Sequence, residues 1–199
     1  MLTVGLTGQS GAGKGEFSRI FCRYDGVVCI DTDKTAREVV EKGKPCLSEL
    51  CECFGSDILE PSGELCRKKL AEIAFSDEDN HKKLNSITHR YIMEEIKAWL
   101  ENAEQSGAKI AIIDAPLLFE SGADKLCDIT VGVVAPYRTR LKRILKRDCI
   151  DKKSAKLRLD SQPDDTFFKE RCTHILANNG SLDALTKKAK AFIEPLLSD

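Results

Sequence analysis

Residues Gly8-Gln9-Ser10-Gly11-Ala12-Gly13-Lys14-Gly15 follow directly on the short apolar stretch Leu2-Thr3-Val4-Gly5-Leu6. The pattern is G-x-x-x-x-G-K between a strand and a helix, the setting in which it forms a phosphate-cradling loop. Glycines let backbone N–H groups turn inward around a polyphosphate, and Lys14 reaches the outer phosphates. The dipole and unpaired amides at the start of the next helix add to the attraction for anions. Gly8, Gly11, Ala12, Gly13, Lys14, Gly15 and the adjacent Glu16 are therefore candidate nucleotide-binding residues. One position departs from the motif. Ser or Thr normally follows the lysine to bind magnesium, and Gly15 has no side chain with which to do so. A nucleoside triphosphate is the expected ligand.

A chain of 199 residues has room for one α/β core with a small insertion, or for two small domains. Its formal net charge of −1 gives no support to a nucleic-acid or membrane partner. No stretch approaches the ~20 apolar residues of a membrane span. The N-terminus enters a strand with no basic leader before it, so the expectation is a soluble cytoplasmic protein. The nine cysteines are odd in number and contain no C-x-x-C pair. They read as free thiols of a reducing compartment, with Cys29 a small core residue and no structural metal.

Apolar runs short enough for buried parallel strands recur between helical patterns, the mark of a doubly wound sheet. They cover residues 2–6, Val27 to Asp31, Lys109 to Asp114, Ile129 to Val134 and His174 to Ala177. Helices are expected from Lys14 to about Tyr24 and from Lys34 to Glu41, each ended by a glycine turn. From Pro45 to Gly107 the pattern is helical, with Leu84, Ile87, Tyr91, Met93, Ile96 and Leu100 marking one long amphipathic helix. A crossover needs far fewer residues, so this stretch reads as an insertion suited to gripping a substrate. A second excursion, Pro136 to Arg171, is rich in Arg and Lys. Arg140, Arg143 and Arg147 line one helical face, where they can neutralise charge on a transferring phosphoryl group or simply be solvated.

Acidic residues end two of these strands. Asp31 and Asp33 close the second, and Asp114 closes the third in a pattern resembling a Walker-B carboxylate. In open parallel sheets ligands sit at the carboxyl ends of strands. A carboxylate there can accept a proton from an attacking hydroxyl or hold magnesium through water. Asp31 or Thr32 would also serve as a helix N-cap.

The ordered set of motifs resembles the dephospho-coenzyme A kinases over almost the whole chain. It comprises Gly5-Leu6-Thr7-Gly8 and the phosphate loop, Asp31-Thr32-Asp33 through Ala36-Arg37, Phe54-Gly55, and Gly63-Glu64-Leu65-Cys66-Arg67. Pro116-Leu117-Leu118-Phe119-Glu120, Arg143 to Asp148 with Gln162, and Asn178-Asn179-Gly180 complete it. The resemblance implies a P-loop nucleotide-kinase α/β/α fold around a parallel sheet, with a helical substrate-binding insertion and a helical lid. Residues 1–44, 108–136 and 172–199 would form the core, 45–107 the acceptor region and 137–171 the lid. It implies transfer of the ATP γ-phosphoryl group to the ribose 3′-hydroxyl of dephospho-coenzyme A, by a monomer or small homo-oligomer. Lys14 and the lid residues Arg143 and Arg147 would serve catalysis, and Asp33 would orient or deprotonate the hydroxyl. Arg37, His89, Pro116 and Leu117 would bind the acceptor, Asn178 the nucleotide, and Asp33 and Asp114 Mg2+. Arg90 follows His89 where the family often has proline. Another nucleoside or nucleoside-monophosphate kinase is the nearer alternative, and a GTPase or a nucleotide binder without catalysis the more distant one.

Overall fold

A computed structural model describes residues 1–198. β1 (Leu2–Gly8) is buried from Thr3 onward, β3 (Ile110–Asp114) along its whole length, and β4 (Ile129–Val134) after its first residue. Strands buried on both faces read as continuous apolar runs, and that is why these segments were legible. With β2 (Val27–Asp31) and β5 (His174–Ala177) they form one sheet in the order β2-β3-β1-β4-β5. β1 pairs in parallel with β3 and β4, and β4 with β5. The chain goes from β1 to one side of the sheet and later returns to the other, so β1 marks the topological switch point. The glycine-rich loop leaves its carboxyl end, where such sheets bind ligands.

Contacts divide the chain into two compact units, Asp31–Trp99 and the remainder. In the remainder, α1 (Lys14–Phe21) and α9 (Leu182–Ser198) cover the sheet. Phe17, Phe21, Leu185, Ala189 and Ile193 join Val4, Leu6, Ile112 and Val133 in its core. α6 (Tyr137–Asp148), α7 (Lys152–Asp160) and α8 (Asp165–Arg171) belong to this unit too. Ile144, Ala155 and Leu159 knit α6 and α7 together.

The other unit holds α2 (Thr32–Glu38), α3 (Pro45–Phe54), α4 (Arg67–Ala74) and most of α5 (Glu78–Gln105). It begins earlier than the expected insertion at residue 45. The reason is packing: Val39 and Val40, just after α2, bury against Cys46, Leu50, Ile58 and Leu70. α2 also starts two positions ahead of expectation, because Asp31 caps it by accepting from the N–H groups of Asp33 and Lys34 at 2.9 and 3.2 Å. α5 runs unbroken through Arg90, and the guanidinium of Arg90 and the hydroxyl of Tyr91 both donate to Glu49 of α3.

The cysteines depart from expectation. Cys22, which caps the C-terminus of α1, and Cys29, in β2, form a disulfide with their Cα atoms 6.3 Å apart. The short connection from α1 to β2 brings the two sulfurs together, so Cys29 is not the free core thiol the sequence suggested. The remaining seven are free. Burial pushes the Cys127 thiol up to about 12 and those of Cys46 and Cys172 up to about 11, which disfavours their thiolate forms at neutral pH. In denaturant without reductant, a thiol reagent is expected to titrate the seven free cysteines, and after reduction all nine. Nine thiols before reduction would contradict the bridge.

Candidate functional site

The loop after β1 depends on glycines with backbone angles that other residues avoid. Gly11 has φ 76° and Gly13 φ 102°, and Gly13 caps α1 in the left-handed conformation. The N–H groups of Lys14 and Gly15, in the first turn of α1, have no carbonyl one turn earlier to bond. They are the donors available to an anion, and the helix dipole favours negative charge at the same point.

The loop is held from behind by residues distant in the chain. Arg143 of α6 donates through Nη1 to the carbonyls of Gly11 and Ala12, both at 3.2 Å. Its Nη2 donates to the side-chain and main-chain oxygens of Asn178 at 3.3 and 3.5 Å. Asn178, buried after β5, completes the triangle by donating from Nδ2 to the Ala12 carbonyl at 2.7 Å. The front of the loop is tied as well. Ser10 N–H donates to Gln162 Oε1 at 2.9 Å and Gln9 Nε2 to the Pro163 carbonyl at 3.0 Å. Hydrogen bonds that involve a charged group contribute roughly 1.5–3 kcal/mol each, so the cradle is preorganised without a nucleotide.

Within the cradle, the Lys14 ammonium donates to Oδ1 of Asp114, the buried carboxylate that ends β3. Register explains the meeting: Asp114 lies opposite Leu6, two residues before the loop opens. Pro116 and Leu117 follow at once. The Pro116 carbonyl accepts from Thr7 Oγ1 at 3.1 Å, and Leu117 stays exposed while Leu118 is buried. A recess of about 460 Å³ beside the start of α1 is lined by Gly13, Glu16, Arg143, Asn178, Ser181 and Leu185, among others.

In this structure the arginines and Asn178 are paired with groups of the protein itself. The Arg143 guanidinium lies on the carbonyls of the loop, so here it shapes the cradle from outside. The Asn178 carboxamide donates to the Ala12 carbonyl and accepts from Arg143, which makes Asn178 a support for the loop, and it also lines the recess beside α1. Arg147 is not at the loop; its Nε and Nη2 donate to Asp148 at 2.6 and 3.0 Å, and Arg158 donates to the same carboxylate at 2.9 Å. The hydrogen bond from Arg147 holds the Asp148 carboxyl below the usual carboxylate range. In the other unit, Asp33 is exposed in the first turn of α2, and Arg37 Nε donates to its carbonyl at 3.1 Å. His89 sits half-buried on α5. Gln9 was quoted only as a filler position of the motif, yet its side chain ties the loop to Pro163.

A glycine-rich loop leaving the central strand of this sheet, with its lysine against a strand-end carboxylate, defines a P-loop kinase. A family model for dephospho-CoA kinase matches residues 2–184. Dephospho-CoA kinases of Corynebacterium glutamicum and Moorella thermoacetica are 39% and 38% identical, covering 100% and 96% of this chain and 98% and 90% of those proteins. The chain belongs to the dephospho-CoA kinase family, whose members are ATP-using kinases of coenzyme A biosynthesis. The solved dephospho-CoA kinase from Campylobacter jejuni has a TM-score of 0.72 at 26% identity, covering 98% of this chain and 96% of that one. Shikimate kinase from Bacteroides thetaiotaomicron, at 14% identity and a TM-score of 0.53 over 97% of this chain and 98% of its own, shares the fold.

The glycines of the loop separate into those that are required and one that is not. A Cβ on Gly8 would lie 2.4 Å from the Val133 carbonyl oxygen, whereas one on Gly15 would meet nothing within 4 Å. Gly8→Ala is therefore expected to lose about 1–3 kcal/mol of stability or more. Gly15→Ser should fold as the parent does, or gain a few tenths of a kcal/mol from losing a helix glycine. Thermal or denaturant unfolding of the two variants checks the contrast.

Proposed function

We propose that the cradle binds the phosphates of ATP and that this chain passes the γ-phosphoryl group to the ribose 3′-hydroxyl of dephospho-coenzyme A, giving coenzyme A and ADP. The observation that carries this reading is the preorganised loop with Lys14 at its centre, in a chain of this family. Lys14 leaves Asp114 for the outer phosphates, and the N–H groups of Lys14 and Gly15 meet the phosphate oxygens. The recess beside Gly13 and Glu16 takes the nucleoside of ATP.

For the acceptor, we assign Asp33 the hydroxyl proton. Its carboxylate accepts that proton as the 3′-oxygen bonds to phosphorus and the bond to the ADP oxygen breaks. Arg37, His89, Pro116 and Leu117 bind and orient the acceptor. Arg143 and Asn178 position the loop, and Arg147 reaches a phosphoryl group only after leaving Asp148. Magnesium, when bound, neutralises phosphate charge. Its fit here is partial: Asp114 and Asp33 offer carboxylates, suited to an ion that keeps several waters, and Gly15 offers nothing. The Gly15→Ser variant checks this, since an added hydroxyl should lower the magnesium concentration at which ATP binding is half-maximal.

Lys14→Ala is expected to lose about 100-fold or more in turnover, because its ammonium contact with the outer phosphates is lost. Wild-type turnover in an assay with ATP and dephospho-coenzyme A would remove the loop from the donor site. Asp33→Asn should lower kcat by roughly 10²-fold while ATP affinity stays near the parent value. A fall in ATP affinity at preserved kcat would make Asp33 a metal residue and not the base.

A further inference from the structure

Two buried polar atoms beside the phosphate loop have no hydrogen-bond partner within the protein, Oε1 of Gln9 and Nη1 of Arg140. The residues are 3% and 6% exposed, so bulk solvent does not compensate them. Folded proteins seldom leave such groups unpaired, and a charged donor is among the costliest to leave so. Here one atom is an acceptor without a donor and the other a donor without an acceptor.

The rest of each side chain is anchored. Gln9 Nε2 donates to the Pro163 carbonyl at 3.0 Å, and Arg140 Nε donates to the Ala135 carbonyl at 3.0 Å. The backbone of Arg140 lies against the loop that carries Gln9. The Arg140 carbonyl would lie 2.8 Å from a Cβ placed on Gly11, so α6 packs directly on the loop. The Arg140 guanidinium lies within electrostatic reach of Asp165, close along the chain to Pro163, and 5.7 Å from the centre of the Tyr137 ring. Gln9 stands between Gly8 and Gly11, both with positive φ, at the point where the backbone can adjust around a ligand.

We propose that Gln9 and Arg140 are the two halves of a latch that closes when the loop takes up ATP. Nη1 of Arg140 then donates to Oε1 of Gln9 and fastens the front of the loop to α6. Both are positioning residues, acting on the phosphates through the loop backbone. A bond made only in the bound state adds its free energy to ATP affinity and nothing to the stability of the nucleotide-free chain. The inference rests on the reading of the loop as the ATP site, and a parent chain that binds no ATP would overturn both.

The test is a double-mutant cycle of Gln9→Leu and Arg140→Met, read twice: as ATP affinity by calorimetry and as unfolding free energy without nucleotide. The cycle cancels each side chain's own anchor to Pro163 or Ala135. Each single variant is expected to weaken ATP binding about tenfold, with the double variant no weaker than either. Without nucleotide the two stability changes should simply add. Additive losses in ATP affinity would overturn the latch. So would equal coupling with and without nucleotide, the sign of a permanent bridge through a buried water. If a variant does not fold, the parent chain still decides. Nitrogen-15 NMR should show rotation of the Arg140 guanidinium slowing when ATP is added, and unchanged rotation would refute the proposal.

Discussion

A loop that turns its N–H groups toward a phosphate turns its carbonyls away from it, and those carbonyls need partners of their own. Water could serve at an open surface, but Ala12 is fully buried. An unpaired buried carbonyl costs about as much as a lost hydrogen bond. Arg143 and Asn178 meet that demand at Gly11 and Ala12, and Gln162 and Pro163 fix the residues ahead of them. The placement of α6, the α7–α8 turn and the segment after β5 around one short loop follows from this. An arginine suits the outer face because its planar donors span two adjacent carbonyls at once.

The surrounding core makes that grip rigid. β1 is covered by Phe17 and Phe21 of α1 on the same helix whose first turn offers the free N–H groups. Packing that fixes the helix axis thus also fixes the direction of its dipole. The disulfide between Cys22 and Cys29 ties the far end of that helix to β2. The other unit builds its own core from Val39, Val40, Cys46, Leu50 and Ile58, and the Glu49 carboxylate ties α3 to α5 through Arg90 and Tyr91.

What could be read from the sequence is local in character. The runs Val27 to Asp31 and Ile129 to Val134 are strands in full, because β-branched and other apolar residues dominate both, β4 being buried and β2 a half-buried edge strand. The phosphate loop declares itself through glycines whose backbone angles no other residue adopts readily. Asp114 was legible because a carboxylate at the end of an apolar strand stands out. The contact of Asn178 with Ala12 could not be read in advance, since it spans 166 positions and no periodicity reports it. Arg143 and Arg147 share a spacing that suggests a common role, yet one faces the loop and the other its own neighbour Asp148. Side-chain direction, and the pairing of two cysteines among nine, depend on tertiary geometry that spacing does not carry.

The ion pair between Lys14 and Asp114 gives the cradle an occupant of its own. A tethered carboxylate competes for the lysine at a high effective concentration, regardless of how dilute the cell's anions are. A small anion that offers only a charge to Lys14 must displace that competitor with few other contacts in return. A polyphosphate, touching several N–H groups along the loop at once, has more to offset the displacement. On the proposed reading of the loop, the ion pair thus weighs against single small anions and in favour of longer phosphate chains.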